Sequence, residues 1–353
     1  MNLKESYQAV LAGEKPERLP LYVANMSDFL QFYYGISACK FVDDADSNVD
    51  VTIRFAQEFN IASVAPAAYI FFGCGPETGV KWTFTGDSLP GFSGTVINNL
   101  DDLEKFKIPT KATGYFKTYI EVLSQLNEKI GNSVFLQSFP LGPFAIACFM
   151  RGIENAILDP LKNLPFYKKC MAKFVEHSKF LVEQVLKLEL PGNILNEIFL
   201  SPDMIGPQYY DQHILPYDEA VSQYFRARNQ KIPNAFSIFI GKPGDPKSQK
   251  TGKLLFNHFF GTKESLDVIR EGMQHNIPGF PAIVTLSGRM MATWQTEEVI
   301  EFLKAGIKII RDEFGKYPAI RLTSLQPANK SAAFKMAETL HAIRDYLSSV
   351  KLL

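Results

Sequence analysis

The stretch AIVTLSGRMMATWQTEEVIEFLKAGIKIIRDEF, residues 282–314, is one complete strand-and-helix unit. Its first part, 282–288, is a short apolar run that ends in serine and glycine, as expected of a buried strand. A segment with helical spacing follows over 296–314. Apolar strands that alternate with helices are typical of a parallel sheet covered by helices. The unit therefore predicts an α/β fold.

The same unit recurs along the chain. Further strands are predicted at 19–25, 61–68, 133–140, 193–200, 236–241, 254–261 and 319–325. Further helices are predicted at 3–11, 48–59, 114–130, 165–189, 216–229, 263–274 and 330–349. Eight strands in a chain of 353 residues favour a (β/α)8 TIM barrel with an N-terminal helix, formed as a single domain over 1–353.

One segment departs from the repeat. GKPGDPKSQKTGK, residues 241–253, is a Gly/Pro/Lys-rich loop in the place of a crossover helix. We therefore expect an inserted loop or hairpin near 232–253. In that arrangement the eighth strand lies elsewhere, around 275–280.

Composition excludes several classes of function. The chain carries 37 basic and 37 acidic residues without a long basic run, so it predicts neither nucleic-acid nor membrane binding. No apolar stretch is long enough to span a bilayer. The four cysteines are widely spaced, which favours reduced thiols over a disulfide framework. We expect a cytoplasmic protein.

The strand ends of a barrel carry its chemistry, and here they are almost uncharged. Arg289 is the one cation expected there, which disfavours a phosphate or polycarboxylate substrate. The 29 phenylalanines favour a neutral, partly aromatic ligand. The residues predicted to bind it are Asn25, Asp28, Phe29, Tyr33, Phe72, Phe139, Asn257, Phe260 and Arg289.

Two titratable residues are candidates for catalysis. His258 stands in LLFNHFFG, an apolar run where a polar side chain is costly unless it is bonded or functional. Glu197 lies toward the carboxyl end of the strand predicted at 193–200. Each also has a structural interpretation, since His258 can bond a core carbonyl and Glu197 can form an ion pair or cap a helix. His177 and His341 lie in polar positions of long helices and are expected to face solvent.

Several common motifs are absent from the sequence. There is no GxGxxG, GxxxxGK[ST], GxSxG or HExxH pattern, so nucleotide binding and serine-hydrolase chemistry are unsupported. The glycine-rich stretch GCGPETG, residues 73–79, does not match a phosphate loop and predicts a turn over the barrel mouth.

Four longer stretches resemble one known group of proteins. They are SYQAVLAGEKPERLPLYV (6–23), GISACKFVDDADSNVDVTIRFAQEFNI (35–61), LSPDMIGPQYYDQHILPY (200–217) and FNHFFGTKESLDVIREG (256–272). Together they are similar to the uroporphyrinogen decarboxylase-like superfamily, in its branch of corrinoid-dependent methyltransferases. The likeness spans nearly the whole chain.

Two departures from the superfamily narrow what the resemblance implies. The porphyrin decarboxylases have an arginine-rich segment after the first strand, where this chain has VANMSDFLQFYY (23–34). The thiol methyltransferases use a zinc site of His and Cys ligands. Here His258 matches the histidine, but Phe260 replaces one cysteine and LTSLQPANKSA (322–332) lacks the other.

The resemblance then implies an O-demethylase-like methyltransferase. It would take a methyl group from a methoxylated aromatic and pass it to cobalamin carried by a separate corrinoid protein. His258 and Glu197 would act as acid and orienting partner, or as ligands of a zinc ion without cysteines. Methyl donors such as an amine, a quaternary amine or a thioether are the alternative, as is a superfamily member that only binds a ligand.

Overall fold

A computed structural model describes residues 2–23, 25–67, 72–84, 91–193, 195–197, 199–200, 205–228, 264–274 and 282–352. Its strands, in chain order, are β1 (Leu21–Val23), β2 (Ile61–Val64), β3 (Lys81–Thr83), β4 (Gly91–Ser93), β5 (Phe135–Ser138), β6 (Gly192–Asn193), β7 (Ile283–Leu286) and β8 (Ala319–Leu322).

Six of these strands form one sheet in the order β6-β5-β2-β1-β8-β7, and all its pairs are parallel. The first strand lies beside the last, with Leu21 opposite Ile320. A barrel also places its first strand beside its last. The parallel sheet, with helices between its strands, confirms the predicted α/β fold. The strands predicted at 236–241 and 254–261, and the insertion near 232–253, lie outside the described residues. The single domain over 1–353 stays a prediction.

Helices separate the strands much as the periodicity predicts. The first eight are α1 (Leu3–Leu11), α2 (Ser27–Tyr34), α3 (Ala38–Asp43), α4 (Ala45–Glu58), α5 (Leu100–Lys105), α6 (Gly114–Ile130), α7 (Pro143–Arg151) and α8 (Ile153–Lys162). The others described are α9 (Leu164–Leu186), α10 (Pro207–His213), α11 (Leu215–Arg228), α12 (Leu266–Gln274), α13 (Gly288–Thr293), α14 (Thr296–Phe314) and α15 (Lys330–Ser349).

The helix α1 covers the amino ends of the strands. Its Tyr7 ring lies 5.2 Å from Tyr22 of β1 and 5.0 Å from Phe135 of β5, measured between ring centroids. Tyr7 and Val10 belong to the same buried cluster as both rings. Since this end is filled, the carboxyl ends of the strands are left for a site, which is where parallel α/β barrels carry theirs.

The hairpin of β3 and β4 was not predicted. It follows the 3₁₀ turn Pro76–Thr78, which lies in the predicted turn 73–79. Trp82 and Phe92 pair across the two strands and both contact Phe149 of α7. The hairpin therefore packs its aromatic side chains against α7.

His177 is buried, so the expectation that it faces solvent is wrong. Its Nε2 atom lies 2.8 Å from the carbonyl oxygen of Gly73, to which it donates. Burial lowers the pKa of the ring to about 4, so the imidazole is neutral at pH 7. The side chain lies on the same buried face of α9 as Phe174 and Leu181, between charged neighbours that suggested exposure.

Asn48 of α4 joins three parts of the chain. Its side-chain amide donates to the carbonyl oxygens of Phe41 at 2.8 Å and Ala67 at 3.0 Å, and its Oδ1 accepts from the Ala67 amide at 3.2 Å. We expect Asn48→Leu to lower the free energy of unfolding by about 2–4 kcal/mol, because buried backbone groups lose their partners. Urea unfolding measures this. Gln57→Leu, on the exposed face of α4, is the control and should change it by less than about 0.5 kcal/mol.

Candidate functional site

The loops after β1 and β8 meet at the carboxyl end of the sheet. Oδ1 of Asn25 accepts hydrogen bonds from the backbone amide and the hydroxyl of Ser27, both at 3.2 Å. The carbonyl oxygen of Asn25 accepts from the amide of Leu325 at 2.8 Å. These bonds fix the turn that starts α2, so Asn25 holds the loop in shape, and its contact with substrate stays a prediction.

Asp28 lies in the first turn of α2, next to this turn. Its carboxyl group is half-buried, and in the described part of the chain no residue donates a hydrogen bond to it or forms an ion pair with it. Burial alone raises the pKa of Asp28 to about 6. A carboxyl group with that pKa keeps a protonated fraction of about one tenth at pH 7, and can act as an acid.

A second network connects the ends of β7 and β8. The hydroxyl of Ser287 donates to Oε1 of Glu264 at 2.5 Å, and the amide of Gly288 donates to Oγ1 of Thr323 at 3.1 Å. Arg289 forms an ion pair with Glu264 at 3.0 Å, and its side chain is 75% exposed. Arg289 is thus a paired cation on the rim, and its contact with substrate stays a prediction.

The structure brings Phe72 and Phe139 together around a third aromatic residue. Phe72 stacks on Tyr119 of α6 with ring centroids 4.6 Å apart. The backbone amide of Phe139 donates to the Tyr119 hydroxyl oxygen at 2.8 Å. Phe139 follows β5 directly, so this group lies at the carboxyl end of the sheet. Tyr119 was not predicted as a site residue, because its position on α6 is that of an ordinary core residue.

Phe29 and Tyr33 pack α2 against α4. The Phe29 ring is fully buried, with centroids of Phe55 and Phe59 at 5.7 and 5.9 Å. The Tyr33 hydroxyl donates to Oε1 of Glu58 at 2.6 Å. These contacts give Phe29 and Tyr33 a structural role between the two helices. Their role as walls of a substrate site stays a prediction.

Glu197 is buried and caps a helix from another part of the chain. Its Oε1 accepts from the amide of Phe144 at 3.0 Å and its Oε2 from the amide of Ala145 at 2.5 Å. Both amides belong to the first turn of α7, where a negative charge is favourable. A Cβ atom at Gly142 would overlap Oε1, so a larger residue there would displace the Glu197 carboxylate from this cap.

Burial, together with the nearby carboxyl group of Asp218 on α11, raises the pKa of Glu197. The hydroxyl of Tyr210 donates to Oδ2 of Asp218 at 3.1 Å. Burial raises the pKa of Asp218 to about 7. Asp218 was missed in the sequence, since nothing in its neighbourhood marks a helical aspartate as buried.

The described residues do not fit a zinc site. Each oxygen of Glu197 accepts an amide of α7, so this side chain already caps that helix. Across the described ranges, no group of three or more His, Cys, Asp or Glu residues is placed to hold a metal ion. His258, Asn257 and Phe260 lie outside the described residues.

No described helix is long and apolar enough to cross a membrane.

Known proteins resemble the chain in sequence and in fold. A methylcobamide:CoM methyltransferase, MtbA, of Methanosarcina mazei is 24% identical over 163 residues. That match covers 42% of this chain, and the chain spans only 42% of the relative's length. A solved structure described as a methyltransferase from Methanosarcina mazei superposes with a TM-score of 0.72 at 13% identity, over 99% of this chain and 100% of that one.

The solved structure shows that the whole chain has the fold of that methyltransferase. Residues 2–249 match the family described as uroporphyrinogen decarboxylase (URO-D), which is well over half of the chain. The superfamily resemblance seen in the sequence motifs is thereby confirmed. The chain belongs to the uroporphyrinogen decarboxylase (URO-D) family.

Proposed function

We propose that this protein is a corrinoid-dependent methyltransferase that takes its methyl group from an aryl methyl ether. The acceptor would be the cob(I)alamin of a separate corrinoid protein. The observation that carries the proposal is the half-buried Asp28 carboxyl group, which has no partner among the described residues. It lies at the same end of the sheet as the aromatic group of Phe72, Tyr119 and Phe139.

The charges of the described residues support a neutral substrate. Among the described residues at the carboxyl ends of the six strands, Arg289 is the one cation, and it is paired with Glu264. The buried Arg321 of β8 lies 5.9 Å from the Tyr22 ring, on the side that α1 fills. A porphyrinogen with several carboxylates would require more counter-charges than this end of the sheet offers. The similarity to corrinoid methyltransferases favours methyl transfer over decarboxylation.

The reaction breaks the bond between methyl carbon and ether oxygen and forms a bond between that carbon and cobalt(I). The leaving group is a phenolate, whose conjugate acid has a pKa of about 10. A proton donated to the ether oxygen as the bond breaks yields the neutral phenol and accelerates the step by about 10²–10⁴-fold.

The groups proposed to supply this proton are Asp28 and His258. Glu197, which the motif comparison also suggests, has both oxygens bonded to helix amides and serves better as a positioning residue. Phe72 and Phe139, with Phe260, would line the ring of the substrate. Asn25, Asn257 and Arg289 would offer hydrogen bonds to its neighbouring substituents.

A different methyl donor is the second candidate, favoured by the match to a methylcobamide:CoM methyltransferase. The name of that relative describes methyl transfer to the thiol of CoM. The stretches 256–272 and 322–332 of this chain contain no cysteine, so they lack the soft ligands of a thiol-activating zinc. These two stretches therefore do not support methyl transfer to a thiol, and an amine or a thioether remains the alternative methyl donor to the aryl methyl ether.

The test is an anaerobic assay of the full chain with a reduced corrinoid protein and guaiacol, vanillate or veratrole. We expect loss of the cob(I)alamin absorption band with an equal amount of free phenol, and a large loss of rate in His258→Ala. His341→Ala, a half-buried histidine on α15, is the matched control and should keep the rate. Turnover of a methylamine or thioether, with no phenol from any ether, would replace the aryl ether by the second candidate.

A further inference from the structure

Asn196 follows β6 at the carboxyl end of the sheet, and its backbone is bonded on both sides. Its amide donates to the carbonyl oxygen of Pro140 at 2.8 Å, and its carbonyl oxygen accepts from the amide of Gly142 at 2.9 Å. These two bonds pair Asn196 with Leu141 as in a parallel ladder. The backbone of Asn196 is therefore extended, and it continues the pairing of β6 with β5 beyond the ends of both strands.

The two neighbours of Asn196 point toward the surrounding helices. Leu195 lies in a buried cluster with Val182 of α9 and Val221 of α11. The Glu197 carboxylate accepts two backbone amides of α7. Because side chains alternate between the two faces of an extended chain, Asn196 points to the opposite face, the inner face of the sheet.

The same inner face can be followed from the amino end of β6. A Cβ atom at Gly192 would meet the side chain of Gln137 on β5, and the Gln137 amide donates to the Tyr7 hydroxyl of α1 at 3.3 Å. Asn196 is four residues after Gly192, an even number of steps, so the two residues share this face. Phe139 shares it too, two residues after Gln137. Asn196 thus lies on the face of the sheet that carries one wall of the proposed site.

The side-chain amide of Asn196 is enclosed but not fully hydrogen-bonded. The residue is 8% exposed, and its Nδ2 atom is buried without an acceptor among the described residues. Asn193 provides the contrast, since its Oδ1 accepts from the Ser138 hydroxyl and its Nδ2 donates to the carbonyl oxygen of Leu190 at 3.3 Å. A buried donor without an acceptor is unfavourable, and such groups in native proteins call for a functional explanation.

The chemistry of the free donor restricts what it can bind. An amide N–H carries no charge and requires an oxygen or nitrogen acceptor. The described strand ends offer Arg289 as their one cation, and it is paired with Glu264, which disfavours an anionic group. A neutral oxygen on an aromatic ring that contacts Phe139 meets both conditions.

We infer that Asn196 is a specificity-determining residue of this site, and that its Nδ2 donates to a second oxygen on the ring of the methyl donor. The favoured donor is then a methoxyarene that carries a hydroxyl or a further methoxy group, over one that carries alkyl groups only. The identity of this ligand rests on the proposed function, but the binding experiment does not require turnover.

Isothermal titration calorimetry of the full chain measures the contact. The probes are the three methoxyphenol isomers, guaiacol among them, each compared with the methylanisole of the same pattern, in which a methyl group replaces the hydroxyl. For one isomer pair we expect the natural chain to bind the methoxyphenol about tenfold more tightly, which is the effect of one hydrogen bond to a buried group. No preference in any pair overturns the inference.

Two variants assign the preference to the amide. Asn196→Leu has a similar size but no donor, so it should bind both members of the pair equally. Asn196→Ala is smaller, cannot clash, and should lose the preference as well. Asn132→Leu, at an exposed asparagine in the turn between α6 and β5, is the matched control and should keep it. A preference that survives in both Asn196 variants overturns the assignment.

A second pair of probes separates donation from acceptance. The dimethoxybenzene of the preferred pattern offers an acceptor oxygen but no hydroxyl, and the matching ethylanisole has a CH2 group in place of that oxygen. Because Nδ2 is a donor, the natural chain should prefer the dimethoxybenzene, and Asn196→Leu should not. A preference for the methoxyphenol without one for the dimethoxybenzene means that the ring hydroxyl donates, which overturns the role of Nδ2.

Thermal melting distinguishes recognition from a structural role. Since Nδ2 has no acceptor among the described residues, Asn196→Leu removes no known bond of that atom, and its melting temperature should equal or exceed that of the natural chain. A melting temperature well below that of the natural chain in both Asn196 variants would show that the amide supports the fold, and the inference would be overturned.

Failure of this inference and failure of the proposed function give different results. If the preference depends on Asn196 but no ether passes its methyl group to the corrinoid protein, the proposed reaction fails and the recognition stands. If ethers are demethylated while both members of every pair bind equally, the reaction stands and the role of Asn196 is overturned.

Discussion

Replacing Asp28 by asparagine is expected to slow methyl transfer from an unactivated aryl methyl ether by about 10²–10⁴-fold at pH 6. Asparagine keeps the size and the hydrogen-bonding capacity of the side chain but cannot give up a proton. The magnitude is that of general acid catalysis, because the phenolate leaves as a strong base when no proton is supplied.

The pH profile should identify the group. Burial raises the pKa of Asp28 to about 6, so the acid form decreases above that pH and the rate of the natural chain should fall with it. Asp28→Asn should show a flatter profile over the same range. Asp28→Glu, which restores an acid, should recover part of the rate.

A leaving-group series provides the control for this prediction. With 4-methoxybenzonitrile the phenolate is more stable and needs less protonation, so the defect of Asp28→Asn should shrink compared with guaiacol. Asp50→Asn, at an exposed aspartate of α4, should leave both rates unchanged. A defect of the same size for both ethers would mean that Asp28 binds substrate without donating the proton.

The largest expected effect on stability comes from the buried ion pair of Arg151 and Asp159. Nε and Nη2 of Arg151 donate to the two carboxylate oxygens at 2.7 and 2.8 Å, and Nη1 donates to the carbonyl oxygen of Ile97. The side chains are only 8% and 11% exposed. Arg151→Met or Asp159→Leu alone should lower the free energy of unfolding by about 3–5 kcal/mol, since a charge is left buried without its partner.

The double variant distinguishes this cause from lost packing. Arg151→Met with Asp159→Leu removes both charges, and it should be less destabilised than the sum of the two single variants. Chemical denaturation of the four proteins gives the coupling energy. Lys304→Ala, at an exposed pair with Glu301 at 2.7 Å, should change stability by less than about 1 kcal/mol. Simple additivity of the two buried substitutions would contradict the argument.

The parallel strands could be predicted because their sequence signal is local. Strands such as 283–286 and 319–322 are mostly apolar and are buried on both faces, which separates them from the amphipathic helices around them. The hairpin of β3 and β4 gave no such signal, since each strand has three residues and is mostly exposed. Its formation depends on the contact of Trp82 and Phe92 with Phe149, which lies more than fifty positions further along the chain.

The sequence predicted where the residues of the candidate site lie better than it predicted what their side chains contact. Asp28 and Phe139 were identified because they follow strands, and the structure places both at that end of the sheet. The capping of α7 by Glu197 could not be predicted, because its partners Phe144 and Ala145 lie more than fifty residues earlier in the chain. Phe29 illustrates the opposite problem, since a phenylalanine after a strand can equally pack against the next helix.

Tyr22 of β1 pairs with Arg321 of β8, so one edge of the first strand is completed by residues near the end of the chain. At translation rates of about 5–20 residues per second, that edge stays open for roughly 15–60 s after the strand is made. An apolar strand with an unpaired edge is a template for wrong pairing with other chains. The yield of folded protein should therefore depend on what shields β1 on the ribosome during that interval.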